Sequence, residues 1–250
     1  MKLKGKVAVV TGGSRDIGKA VSIKLAAEGA RVVVNYLNSE EQSLDTLKAI
    51  HDAGGEAIAV RGDMTKQEDV ENVVTETRKT FGDEIHVLVN VVGGLVQRKT
   101  LQEMDQEFWE FVMRLNTTSA FLATRAVVPW MTAGGSIINF SSQAGRDGGG
   151  PGATAYASSK GAVSTFTRAM ARELGPGGIR VNALCAGMIA TTFHDRFTKD
   201  EVRASVAAAT PLRRQGEARE IADTVAYLAS DESSFLTGVN LDINGGMFFS

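Results

Sequence analysis

Tyr156 and Lys160 lie four positions apart in GATAYASSKGAV, at the start of a long stretch of helical character. At that spacing both side chains project from one helix face. An ammonium beside a phenol favours the phenolate and draws the tyrosine below its reference pKa of about 10. Such a pair exchanges a proton with an alcohol or a carbonyl near neutral pH. A lone Tyr-x-x-x-Lys is as readily an ordinary surface pair, but this one has company. Ser142 ends the apolar run Ile137–Phe140 and can hydrogen-bond the same substrate oxygen. Asn116, in RLNTTSAF, is a poor helix former in mid-helix, which suits a polar task such as holding a water.

A second constellation lies near the start of the chain. TGGSRDIG at Thr11–Gly18 follows the apolar run Val7–Val10 and opens a helical stretch. Gly12 permits a tight turn, Gly18 permits close packing of helix on sheet, and backbone N–H groups at the helix start face an anion. In this context the turn reads as a dinucleotide site. The next strand ends in Asn35-Tyr36-Leu37-Asn38-Ser39, without the acidic residue that would accept bonds from the ribose hydroxyls of NAD. Arg15, assisted by Asn38 or Ser39, can meet a 2′-phosphate instead. NADP(H) is therefore favoured and NAD(H) is the alternative. The bland reading of Arg15 is a solvated surface arginine.

These residues need a scaffold, and its strands are readable. Val7–Val10, Val32–Val34, Ala57–Val60, Val87–Val89, Ile137–Phe140, Val181–Leu184 and Val239–Ile243 are nearly continuous apolar runs, as parallel strands covered on both faces require. Amphipathic segments lie between them. Capping-box spacings occur at Ser39/Gln42 and Thr65/Glu68, and Gly29 suits a left-handed helix end. The alternation predicts an α/β fold: one Rossmann-type doubly wound domain over residues 1–250, with a seven-stranded parallel sheet flanked by helices. A substrate lid is expected at about 188–210. A net charge of -2 gives no sign of nucleic acid or anionic membrane, and no apolar run is long enough to span a bilayer. The N-terminal stretch has no signal-peptide pattern, and the lone Cys185 fits a reducing, cytoplasmic setting as a buried inert thiol. His51, His86 and His194 lack metal-ligand spacing, so no metal is expected.

Over essentially its full length the chain resembles the short-chain dehydrogenase/reductase family. TGGSRDIG matches the family's cofactor turn, which brings in Gly12, Ser14, Arg15, Asp16, Ile17 and Gly18. GDMT matches its adenine-contacting segment, which implies Asp63 and Met64 near adenine. Asn90 begins the match to Asn-Asn-Ala-Gly, and Asn116, Ser142, Tyr156 and Lys160 match the catalytic tetrad. The implied roles are proton donor in reduction for Tyr156, pKa tuning and ribose binding for Lys160, carbonyl polarisation for Ser142, and support of a relay water for Asn116. Ile189 and Thr191 would serve the carboxamide and phosphate. A homotetramer is also implied.

The chain departs from the family at three places. Val91 and Val92 replace Asn and Ala, Ala186 replaces a proline, and Asp16 takes the central glycine position. Asp16 could abolish dinucleotide binding, weaken it, or turn away to cap the helix or pair with Arg15 or Lys19. The last is the expectation, because the tetrad has no purpose without a nicotinamide.

Substrate signals lie in the loops. Gln97, Arg98 and Lys99 follow the fourth strand, where Arg and Lys could clamp a carboxylate. A surface or subunit-contact role is the alternative. Gln143 adjoins Ser142, and His194 and Arg196 lie on the expected lid. GGLVQRK, the GGGPGA loop, the FHD segment and LDINGG resemble one branch of the family, the reductases of 4-deoxy-L-erythro-5-hexoseulose uronate, which form 2-keto-3-deoxy-gluconate. The expected substrate is thus a small acidic carbonyl compound. The alternatives are a 3-oxoacyl-carrier-protein reductase, a sugar or polyol dehydrogenase, and a non-catalytic dinucleotide-binding sensor.

Overall fold

The computed structural model describes residues 1–249, apart from the side chains of His194 and Arg196. All seven apolar runs form strands: β1 Val7–Thr11, β2 Arg31–Tyr36, β3 Glu56–Arg61, β4 Val87–Asn90, β5 Ser136–Phe140, β6 Arg180–Ala186 and β7 Asn240–Ile243. They make one parallel sheet in the order β3-β2-β1-β4-β5-β6-β7. The order reverses between β1 and β4, and this switch point opens a crevice at the carboxyl ends of the strands. Thr11 pairs with Asn90 there, so the glycine turn and the loop after β4 leave the sheet side by side.

Alternating side chains divide the core between two faces. Val10 and Val34 pack with Val21 and Leu25 of α1 (Asp16–Ala27) and with Ile221 and Val225 of α10 (Ala218–Ala229). Val9 and Val33 face the other way. They share a cluster with Val70 and Val73 of α3 (Gln67–Phe81), Ala123 of α5 (Ser119–Val127) and Ala171 of α7 (Thr154–Leu174). Burying a valine side chain contributes about 1.5–3 kcal/mol, which fixes the register of both layers.

The capping boxes expected at Ser39 and Thr65 do not form. The hydroxyl of Ser39 meets Ser14 Oγ at 2.6 Å, and α2 (Glu40–Asp52) has no side-chain cap. Thr65 Oγ1 donates to Asp63 Oδ1 at 2.7 Å. In both cases a nearby oxygen outcompetes the helix N-terminus. Gly29 does take the left-handed conformation, with φ of 94°. Residues 188–210, the expected lid, contain two helices, α8 (Thr192–Phe197) and α9 (Asp200–Ala209). Met188 and Ala190 are tied to Gly216 by paired backbone bonds of 2.9 Å.

Candidate active site

Helix α7 presents Tyr156 and Lys160 on one face, as the four-residue spacing requires. Lys160 is buried, and its Nζ donates to Phe140 O at 2.7 Å, the carbonyl that ends β5. Burial pushes its pKa down from 10.5 to about 8, weakly opposed by Cys185. The ammonium lies 5.8 Å from the centroid of the Tyr156 ring. Tyr156 hydrogen-bonds with Ser142, but burial outweighs that bond and holds its pKa above 10.0. The expected lowering of Tyr156 by Lys160 is therefore not found in this state. Desolvation of the phenol dominates, and the lysine is itself easily neutralised.

Asn116 is the buried centre of a π-helical turn, Arg114–Thr118, between α4 (Gln106–Met113) and α5. Such turns widen a helix locally and recur at functional sites. Its Oδ1 accepts from Gly94 N at 2.9 Å, and its Nδ2 donates to Gly94 O and Val112 O, both at 3.0 Å. Asn116 thus clamps the loop after β4. Gly93 fits between two side chains of the candidate tetrad: a Cβ there would lie 2.5 Å from Asn116 Oδ1 and 2.9 Å from Lys160 Nζ.

At the nucleotide turn, Asn35 Oδ1 accepts from Gly12 N at 3.1 Å and Asn35 O accepts from Gly13 N at 2.9 Å. A Cβ on Gly18 would lie 2.0 Å from Gly12 O, so only glycine allows α1 to start this close to the turn. The N-cap position of α1, Arg15, makes no side-chain cap bond. The residues around this cradle fit an anionic nucleotide: uncapped N–H groups, an exposed Arg15, and the Ser14/Ser39 hydroxyl pair toward which Asn38 leads.

Asp16 turns away, as expected, but to a partner the sequence did not suggest. With φ of 49° it occupies the left-handed region, and its carboxylate accepts from Thr192 N at 3.1 Å and Thr192 Oγ1 at 2.5 Å. The neighbouring Thr191 Oγ1 donates to Ile189 O at 3.2 Å, and Ile189 is buried. Asp63 Oδ1 is occupied by Thr65, and Met64 is buried in the core. Asn90 is also buried, its amide donating to Asn139 Oδ1 at 2.8 Å, so its side chain ties β4 to β5.

The expected substrate residues separate. Arg98 Nη1 donates to Pro151 O at 2.9 Å and its Nε reaches Phe197 O at 3.5 Å, joining the β4 loop, the glycine-rich loop and α8. Lys99 pairs with Asp105 at 3.6 Å and lies over the Phe108 ring. Gln143 Nε2 donates to Asp147 at 2.9 Å. Gln97 lines a cleft of about 440 Å³ with Val96, Arg98 and Phe197. His194 and Arg196 lie outside the described residues. Composition and spacing missed three residues that lie beside Tyr156 or this cleft. Phe193 lies 6.1 Å from the Tyr156 ring, and Phe197 packs edge-on to Phe193 at 5.1 Å. Val96, with φ of 66° and a Gln97 N to Leu95 O bond of 2.8 Å, makes a strained γ-turn. A β-branched residue carries no signal for that conformation.

Taken together, a phenol with a hydroxyl partner, a buried lysine and an anion cradle at one switch point make an oxidoreductase site for carbonyl and hydroxyl groups. Residues 12–248 match a family described as Enoyl-(Acyl carrier protein) reductase. The 3-oxoacyl-[acyl-carrier-protein] reductase of Synechocystis sp. is 38% identical over 248 residues, covering 98% of both chains. A short-chain dehydrogenase/reductase from Serratia marcescens superposes with a TM-score of 0.93 at 33% identity, covering 98% of this chain and 99% of that one. A blue fluorescent protein from a metagenomic library, solved in complex with NADPH, gives a TM-score of 0.93 at 33% identity over 100% of both chains. The chain belongs to the short-chain dehydrogenase/reductase family.

Proposed function

We propose that this enzyme reduces the carbonyl of a 3-oxoacyl thioester with NADPH. One observation carries the choice of substrate: the wall beside Tyr156 is aromatic, while Arg98 and Lys99 are engaged with protein partners. An apolar acyl chain suits Phe193 and Phe197. The relative from Synechocystis bears the name of that activity. The nicotinamide, when bound, supplies the hydride to the carbonyl carbon. Tyr156 and Ser142 hold the carbonyl oxygen, and Tyr156 gives it the proton, so carbonyl, hydride and proton together make the alcohol. Lys160, next to Tyr156, restores the proton, and Asn116 holds the loop that closes the site.

NADPH is preferred over NADH in this reading because residues 37–39, directly after β2, hold no carboxylate and Arg15 is exposed at the turn. The NADPH bound by the blue fluorescent protein supports it. A second reading keeps a small acidic sugar, 4-deoxy-L-erythro-5-hexoseulose uronate, as the substrate. It is supported by Arg98, whose Nη2 has no partner among the described residues and which borders the cleft. A homotetramer is the proposed assembly. Trp109 and Phe111 on α4, Phe121 on α5, and Phe235 and Phe249 leave apolar surface for partner subunits. No described helix is long and apolar enough to cross a membrane, and cytoplasmic residence is proposed from the lone buried Cys185.

The deciding experiment follows loss of reduced nicotinamide absorbance with acetoacetyl thioester and with the uronate, each with NADPH and NADH. Faster turnover of the thioester with NADPH is expected. Turnover of the uronate alone would put the second reading in its place.

A further inference from the structure

Asp16 ties the nucleotide turn to α8 through a charged group, across 176 positions of sequence. Both carboxylate oxygens are used. One accepts the backbone N–H of Thr192, the residue that opens α8; the other accepts the same residue's hydroxyl. The next residue is Phe193, whose ring lies against Tyr156. A chain of contacts thus runs from the turn through Thr192 to the catalytic phenol. The cost is visible in the backbone: Asp16 holds φ of 49°, a conformation that glycine adopts freely and aspartate tolerates.

We propose that Asp16 is a positioning residue that docks α8 on the nucleotide turn before cofactor arrives, at the expense of cofactor affinity. The inference rests on the reading of the turn as a dinucleotide site. The two hydrogen bonds hold the first turn of α8, and with it Phe193, in the place where it walls the substrate site. They also engage both oxygens of the carboxylate, which limits its repulsion of the pyrophosphate at the start of α1. The carboxylate thus serves the docking of α8 while its charge costs the bound anion, and the bonds to Thr192 reduce that cost.

The two effects separate in two variants. Asp16→Gly removes both the tie and the charge. Thr192→Val removes the hydroxyl and leaves the charge, now short of one donor, and does not alter the turn. Amide hydrogen exchange in residues 192–209 of the cofactor-free protein is expected to rise by about tenfold in Thr192→Val, the effect of losing one charge-assisted hydrogen bond at an exposed site, and by more in Asp16→Gly, which loses two. Thr192→Ser, which keeps the hydroxyl, is expected to exchange as the parent does. NADPH affinity, measured by calorimetry, is expected to move in opposite directions: about fivefold tighter for Asp16→Gly and weaker for Thr192→Val. Unchanged exchange in both variants would overturn the docking role. Affinities that shift the same way would overturn the opposition. Parent protein that binds neither NADPH nor NADH would refute the dinucleotide reading, while the exchange measurement would still judge the docking.

Discussion

Gly93 and Gly94 are adjacent and chemically identical, yet alanine should damage the enzyme at the first and leave it almost unchanged at the second. A Cβ on Gly94 meets nothing within 4 Å. A Cβ on Gly93 lies 2.5 Å from Asn116 Oδ1 and 2.9 Å from Lys160 Nζ. Restoring an ordinary contact of 3.4 Å requires Asn116 Oδ1 to retreat by about 0.9 Å. It cannot do so cheaply, because the Asn116 amide is held by three bonds of 2.9–3.0 Å inside the π turn. Lys160 is no freer, with Nζ fixed 2.7 Å from Phe140 O. Losing two or three buried bonds at about 1 kcal/mol each, plus overpacking strain, puts Gly93→Ala at about 2–4 kcal/mol of destabilisation. Displacing catalytic groups on the order of 1 Å should lower kcat by about 100-fold. Gly94→Ala should stay within about 0.5 kcal/mol of the parent. Thermal unfolding and steady-state kinetics of both variants test this. A Gly93→Ala enzyme as stable and active as Gly94→Ala would refute the claim that Asn116 and Lys160 close on Gly93 and serve the reaction.

Lys160 makes stability depend on pH in a definite direction. Its folded pKa of about 8 lies below the ordinary 10.5, so between these values the unfolded chain binds more protons and stability rises with pH. Relative to Lys160→Met, the parent should gain up to about 3 kcal/mol on going from below pH 8 toward pH 10, read from urea unfolding. A flat difference would mean that the lysine is not desolvated as the fold indicates. Tyr156→Phe should cut turnover by at least about 100-fold while NADPH binding persists, since the phenol serves the proton and not the turn. Loss of nucleotide binding along with turnover would point to a structural role. Arg98→Ala should raise KM for acetoacetyl thioester and for a neutral carbonyl by similar factors, because Arg98 ties loops together. A rise confined to acidic substrates would favour the carboxylate clamp.

The strands were legible because parallel strands covered on both sides must be apolar throughout, and runs this short and this rich in Val and Ile favour strand over buried helix. The pairing of Tyr156 with Lys160 was legible because helical spacing is local geometry. Asn116 announced itself by fitting its helix badly, though nothing in RLNTTSAF shows that the helix widens there into a π turn. What could not be read depends on partners distant in sequence. The hydroxyls of Ser39 and Thr65 had the right spacing to cap helices, yet Ser14 and Asp63 took them. Arg98 carried a charge suited to a substrate acid, and backbone carbonyls at Pro151 and Phe197 engaged it. Asp16 is the clearest case. Its misfit with a phosphate turn is evident in TGGSRDIG, but the reason lies at Thr192, beyond six of the seven strands. A residue that offends a local rule and is held by a remote contact couples the two places it touches. In this enzyme those places are the nucleotide turn and α8, the two elements that the proposed reaction needs together.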